Sequence, residues 1–317
     1  MNILVTGGAG FIGSTLIDRL LLDNHTVISI DNYDPFYDKK LKVLNQKKHF
    51  EHLNFNFIEV DIRAIDTIKI KCKIDCIIHI AAKAGVIQSI ANAKEYFDVN
   101  VNGTLAMLEF AKNNNIKQFL FASSSSVYGV NKNVPWTESE LDLQPISPYA
   151  SSKLACEKIG FTYSHLYGIR FLALRFFTVY GPRQRPDLAI NKFFRNSRAG
   201  VPIEVYGDGT TKRDYTYVDD IVNGIVASIN YDKSQYEIIN LGNNNTIQLK
   251  DLIHEIGKIT QIDPLLVYKD EQQGDVPQTY ASIDKSSLLL NYNPKTLLAD
   301  GLQRQFDWMN FKLEVGS

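Results

Sequence analysis

Apolar runs rich in β-branched residues alternate with stretches of helical periodicity through the first half of the chain. Residues 2–6, 26–30, 56–60, 75–80, 118–122 and 171–176 read as strands. Between them, 11–22, 95–112 and 148–167 place apolar side chains three and four apart and read as helices. Strand–helix alternation builds a parallel sheet with right-handed crossovers and helices on both faces. The pattern therefore predicts a doubly wound α/β domain over 1–176. After Phe177 the rhythm breaks, with Pro, Gly and charge frequent in TVYGPRQRPDLAINKFF and VPIEVYGDGTTKRDYTYVDD. A smaller α/β cap over 177–317 is expected there, with 218–235 returning as a helix to the first domain and an amphipathic GLQRQFDWM near the end.

Composition narrows the class. Formal net charge is −1, with 34 basic and 35 acidic side chains and no long run of one sign. Neither a nucleic-acid footprint nor a polybasic membrane patch follows from that. No apolar run approaches the ~20 residues of a membrane span. MNILVTGGAG enters a strand without the basic start or cleavage site of a signal peptide. Cys72, Cys76 and Cys156 are too few and too irregular for a disulfide framework or a zinc site, so no metal is expected. Cys72 and Cys76, flanking an apolar run, are expected to be buried reduced thiols. A cytoplasmic protein without nucleic-acid or membrane partners is the expectation.

Candidate chemistry begins with GGAGFIG, which sets Gly7, Gly10 and Gly13 between a strand and a helix, with Phe11 and Ile12 opening the helix. Glycines let the backbone turn tightly and approach a pyrophosphate, and the helix start offers free N–H groups and positive dipole. Asp31 ends the second strand about 20 residues on, where a dinucleotide's ribose is bound. An acid there repels a 2′-phosphate, so NAD is expected over NADP. Asp61, closing the third strand, is placed either to bond the adenine or to cap the next helix.

YASSK puts Tyr149 and Lys153 at i, i+4 on one helical face, with Ser147 and Pro148 as N-cap and first position and Gly168 as terminator. A Tyr with a pKa of about 10 is a poor base, and a neighbouring ammonium favours its phenolate. Upstream, FASSSSVYG follows a strand and puts Ser124 at the carboxyl edge of the sheet, where open α/β sheets bind ligands.

With these motifs the chain resembles the extended short-chain dehydrogenases/reductases, the nucleotide-sugar epimerase/dehydratase family, along most of its length. HIAAKAGV, FDVNVNGT, RFFTVYGPRQRPD, RDYTYVDD and GDVPQTYA carry the likeness further. The resemblance implies a Rossmann fold and Ser124, Tyr149 and Lys153 as the catalytic group. It implies Asn32, Ile62, Ala81, Ala82, Lys83 and Asn100 around the cofactor. Arg213 is implied at a sugar-nucleotide pyrophosphate, Tyr206 on the base and Asp275 beside them. It also implies a homodimer through helices 95–112 and 148–167. One departure is Ile87, where many relatives carry Arg.

The resemblance implies a shared first step: Tyr149 takes the C4-hydroxyl proton while hydride leaves C4. Dehydratases and decarboxylases of the family carry carboxylates just before the Val-Tyr-Gly segment, where this chain has Ser125 and Ser126. A hydroxyl cannot replace a tuned carboxyl acid, so C4 epimerisation of a UDP-sugar is expected. RFFTVYGPRQRPDLA resembles the same stretch of UDP-glucuronate 4-epimerases, including Thr178 and Arg185-Pro186-Asp187. UDP-glucuronate is the expected substrate, with Ser125, Ser126 and Thr178 holding its carboxylate and Arg185 gripping it bidentately. The alternatives are a neutral or N-acetylated UDP-hexose, a decarboxylase or dehydratase with its acid elsewhere, and an NAD-binding sensor or scaffold without chemistry.

Overall fold

A computed structural model of the chain describes residues 1–315, with side chains through residue 311. The first half runs β1 (Asn2–Thr6), α1 (Phe11–Leu22), β2 (Thr26–Asp31), α2 (Lys39–Gln46), β3 (Phe55–Glu59) and β4 (Cys76–His79). The short helices α3 (Val86–Ala91) and α4 (Ala93–Phe97) precede α5 (Gly103–Asn113), β5 (Gln118–Ser124), α6 (Pro148–Tyr167) and β6 (Arg170–Phe176). The second half opens with β7 (Thr178–Tyr180), α7 (Ala189–Ala199), β8 (Ile203–Tyr206), β9 (Lys212–Arg213) and β10 (Tyr215–Tyr217). It continues through α8 (Val218–Ile229), β11 (Tyr236–Leu241), β12 (Ile247–Gln248), α9 (Leu249–Thr260), β13 (Leu266–Lys269), α10 (Asp284–Leu290) and α11 (Leu298–Val315).

Seven strands form one sheet in the order β11-β6-β5-β4-β1-β2-β3, and every pairing in it is parallel. This is the doubly wound Rossmann arrangement that the alternation predicted, with an added seventh strand. Its strands are apolar on both faces. Ile3, Val5, Val27, Ile78 and Leu172 pack under Leu16, Ile17 and Leu20 of α1 and Ile221 and Ile225 of α8. Leu4, Ile28, Ile77, Phe119 and Phe171 face Met107 and Leu108 of α5 and Cys156 and Tyr163 of α6. Chain order reverses between β1 and β4, which opens a crevice at the carboxyl ends of the strands. The cap has its own core, with Phe193 and Phe194 of α7, Ile203 and Val205 of β8, and Leu252 and Ile256 of α9. None of the described helices is long and apolar enough to cross a membrane.

Local chemistry explains the element ends. Ser147 Oγ accepts from Ala150 N, Pro148 fills the first turn, and Gly168 stops α6 at φ 62°. Three expectations need correction. The helix expected over 95–112 is interrupted by a π-helical turn over Asp98–Asn102. There the Asn100 carbonyl accepts Thr104 Oγ1 at 2.6 Å and the Cys156 thiol at 3.3 Å, and such turns favour functional positions. The return to the sheet runs past 235, because β11 pairs with β6 from Tyr236↔Phe171 to Leu241↔Phe176 and α10 packs on it. Cys72 is exposed, lying in the loop ahead of β4, whereas Cys76 is buried. Within α2, Lys42 is 6% exposed and its Nζ donates to Asp34 O at 3.0 Å.

Candidate functional site

The crevice at the reversal point holds a cavity of about 380 Å³, and most of the residues singled out in the sequence line it. The glycine loop forms one end. Gly7 adopts φ +72°, and a Cβ there would sit 2.8 Å from Ala81 N. A Cβ on Gly13 would lie 2.2 Å from Gly7 O. α1 starts at Gly10 with no side-chain cap, so its first N–H groups stay available to an anion. Phe11, Ile12, Asn32, Asp61, Ile62, Ala81, Ala82 and Lys83 continue the same wall.

Asp31 is buried and accepts from Ala9 N at 3.1 Å and Tyr33 N at 2.8 Å. Burial raises its pKa, and Lys42, 3.9 Å away, opposes that shift. Asp61 does cap the turn at 62–67, accepting from Arg63 N, and its carboxylate also takes the Arg63 guanidinium and the Asn32 amide. These bonds, led by the one from Arg63, hold its pKa down. The Lys83 ammonium sits between Asp34 at 3.0 Å and Glu95 at 2.8 Å, tying the loop after β2 to α4. Asn100 lies behind this wall: its amide takes Lys83 N at 2.7 Å and donates to Lys83 O and Ser152 Oγ.

At the other end Ser124, Tyr149, Lys153, Thr178 and Arg185 line one chamber. β5 and α6 lie side by side, so the serine at the strand's end meets the helix face carrying the Tyr–Lys pair. The Ser124 hydroxyl hydrogen-bonds the Tyr149 phenol and lies 3.1 Å from Ser126 Oγ. Burial raises the Tyr149 pKa, while the Ser124 bond and the Arg185 charge pull it down. The Lys153 Nζ donates to Ala122 O at 2.7 Å, lies over the Phe121 ring, and stands 6.0 Å from the Tyr149 ring centre. Burial drops its pKa to about 8. His79, bonded to Thr6 and Thr104, is pushed by burial and by Lys153 to about 3, so it stays neutral.

Beneath the chamber runs a buried polar layer. Glu157, one turn beyond Lys153, takes the Ser123 hydroxyl at 2.6 Å and a bidentate Arg175 at 2.9 and 2.8 Å. This holds the end of β5, and with it Ser124, at a fixed height. Ser125 is buried and outside the cavity lining. Tyr206, Arg213 and Asp275 do not line the cavity either. Arg213 pairs with Asp275, and the turn carrying Asp275 leans on α3, where Gly274 faces Val86 and Ile90. Ile87 on that helix is 41% exposed. Sequence reasoning missed Phe36, Tyr37, Lys42, Ala84 and Leu188, which also line the cavity. Backbone geometry brings them in, and only Lys42 carried a signal, as a cation at a helical position facing the Asp31 corner. Among the described residues no group of His, Cys, Asp and Glu is placed to hold a metal.

The family model for the NAD-dependent epimerases/dehydratases matches residues 3–242, which span the glycine loop, Ser124 and the Tyr149–Lys153 pair. The chain belongs to this family. As an NAD-dependent epimerase/dehydratase family member it is 39% identical to a UDP-glucuronate 4-epimerase of Thermodesulfobacterium geofontis, covering 98% of this chain and 97% of that one. The structure of UDP-glucuronic acid 4-epimerase from Bacillus cereus with UDP-glucuronic acid and NAD superposes with a TM-score of 0.92 at 36% identity. That match covers 98% of this chain and 99% of the other. A UDP-N-acetylglucosamine 4-epimerase from Methanobrevibacter ruminantium matches with a TM-score of 0.90 at 33% identity, over 98% of both chains. Within this family the glycine cradle, Asp31 and the Lys83–Ala82 wall fit a dinucleotide, since a methyl at Gly7 or Gly13 would strike the backbone of Ala81 or of Gly7 and force open the tight turn that brings the helix start to the cavity.

Proposed function

We propose that this protein is an NAD-dependent 4-epimerase that interconverts UDP-glucuronate and UDP-galacturonate. One observation carries the reading: Tyr149, Ser124, Thr178 and Arg185 line one cavity with the glycine cradle, and among the described residues the only carboxylates in that lining are Asp31, Asp34 and Asp61, which sit on β2 and on the loops after β2 and β3. NAD, held by Gly7, Gly10, Gly13, Asp31 and Lys83, supplies a hydride acceptor that later gives the hydride back. Tyr149 removes the C4-hydroxyl proton and holds it for return. Ser124 bonds the same oxygen and, with the Arg185 charge, stabilises the phenolate against the cost of burial. Lys153, anchored on Ala122 O, keeps a positive charge in the chamber at pH 7. Elimination calls for an added acid, and Ser125 and Ser126 do not provide one.

The sugar nucleotide extends from this chamber toward Arg213 and Asp275, which pair with each other, with Tyr206 as the residue on its base. The second reading is a neutral UDP-hexose or its N-acetyl form. It is favoured by the Arg185 fork, which is already filled by Asp187. Two copies pair through α5 and α6, a reading supported by Leu105, Phe161, Leu166 and Tyr167, which are exposed along these helices. Tyr149→Phe is expected to keep the fold and bound NAD while lowering turnover by ~10²–10⁴. Turnover within a few-fold of wild type removes Tyr149 from the mechanism.

A further inference from the structure

A lone arginine in a sugar chamber would offer a carboxylate two parallel donors. In this fold those donors are in use. Arg185 Nε and Nη2 donate to Asp187 Oδ1 and Oδ2 at 3.0 and 2.6 Å, and Nη2 also donates to Ala84 O at 3.2 Å. The guanidinium stacks 4.9 Å from the centre of the Phe36 ring. Its Nη1 makes no hydrogen bond among the described residues. Arg185 lines the chamber with Tyr149 and Thr178, whereas Asp187 stands behind it, outside the lining. The clamp is also close to the base: Tyr96 donates to the same Ala84 O at 3.2 Å and meets Tyr149 edge-on.

We propose that Asp187 is a built-in counter-carboxylate, a positioning residue that acts through Arg185 and weakens its hold on the sugar's own carboxylate. This rests on the hexuronate reading above. Epimerisation requires the 4-keto sugar to present each face in turn, so whatever holds its C6 carboxylate must let go between hydride removal and hydride return. A full bidentate arginine–carboxylate pair in a buried chamber would fix one orientation. With Asp187 in the fork, the sugar meets one free edge of a guanidinium whose charge is already balanced. The acid is recognised by a directed donor and is not trapped by a net charge.

The test uses NAD-loaded wild type, Asp187→Asn, Asp187→Glu, Arg185→Ala and the Arg185→Ala/Asp187→Asn double variant. Calorimetric dissociation constants for UDP-glucuronate and UDP-glucose are measured together with kcat for UDP-glucuronate. Asp187→Asn removes the charge at constant shape. It is expected to tighten UDP-glucuronate about tenfold, leave UDP-glucose within about twofold, and lower kcat about tenfold. Asp187→Glu keeps the charge and restores the wild-type ratio of the two dissociation constants. In the Arg185→Ala background the Asn substitution changes nothing. Weaker or unchanged UDP-glucuronate binding in Asp187→Asn overturns the proposal, as does an effect that persists without Arg185. A wild type that prefers UDP-glucose contradicts the hexuronate reading. The Asp187 proposal falls separately, when the ratio of dissociation constants does not move.

Discussion

Lys153 shows at the scale of one residue how the site is built against stability. Its ammonium is fully enclosed, with Ala122 O and the Phe121 ring as partners, and burial brings its pKa from 10.5 to about 8. The unfolded chain therefore binds that proton more readily than the folded one. At pH 7 both states carry it, so the whole cost, about 3 kcal/mol, is present; as pH rises from 8 towards 10.5 it fades. Lys153→Met is accordingly expected to raise the thermal midpoint of the cofactor-free protein by several degrees at pH 7 while abolishing turnover. A lowered midpoint at pH 7 would mean that the ammonium stabilises the fold. Tyr149 and Lys153 were legible because their spacing alone puts them on one helical face. Ser124 and Arg185 were named as well, but not that both act on Tyr149, because they reach it through the tertiary fold, and Asp187, two residues from Arg185, looks in sequence like an ordinary loop acid.

Elements were readable where local chemistry marks their ends. Ser147, Pro148 and Gly168 bound α6 at the residues expected, and the glycine loop separates β1 from α1 at Gly7–Gly10. They were unreadable where tertiary contacts decide. YEIINL mixes polar and apolar residues, yet as β11 it completes the sheet because β6 offers it a free edge. The π-helical turn before α5 follows from side chains that capture the Asn100 carbonyl, and helical periodicity does not register them. Helices α5 and α6 also carry what the sheet does not use. Leu105 and Leu166 remain 38% and 60% exposed although both helices pack the core with their other faces. A paired Leu105→Glu and Leu166→Glu variant is expected to sediment as a monomer where the wild type sediments as a dimer. A wild type that sediments as a monomer contradicts the pairing.

Over the whole molecule, one sheet and one cap divide the labour. The sheet's reversal point supplies the dinucleotide cradle and the proton-handling group. β7 and the loop after it bring Thr178 and Arg185 into the cavity, and the Arg213–Asp275 pair stands outside its lining. The fold class was legible because strand–helix alternation has few topological solutions. The sugar was less so, because the choice between an acid and a neutral hexose rests on one guanidinium and on what already occupies it. The central claim is therefore tested by turnover of UDP-glucuronate beside UDP-glucose and UDP-N-acetylglucosamine, under identical conditions, with products resolved as C4 epimers. UDP-galacturonate as the main product, formed far faster than either neutral epimer, is the expected result. Faster turnover of a neutral sugar, or release of a UDP-pentose with CO₂, would contradict it.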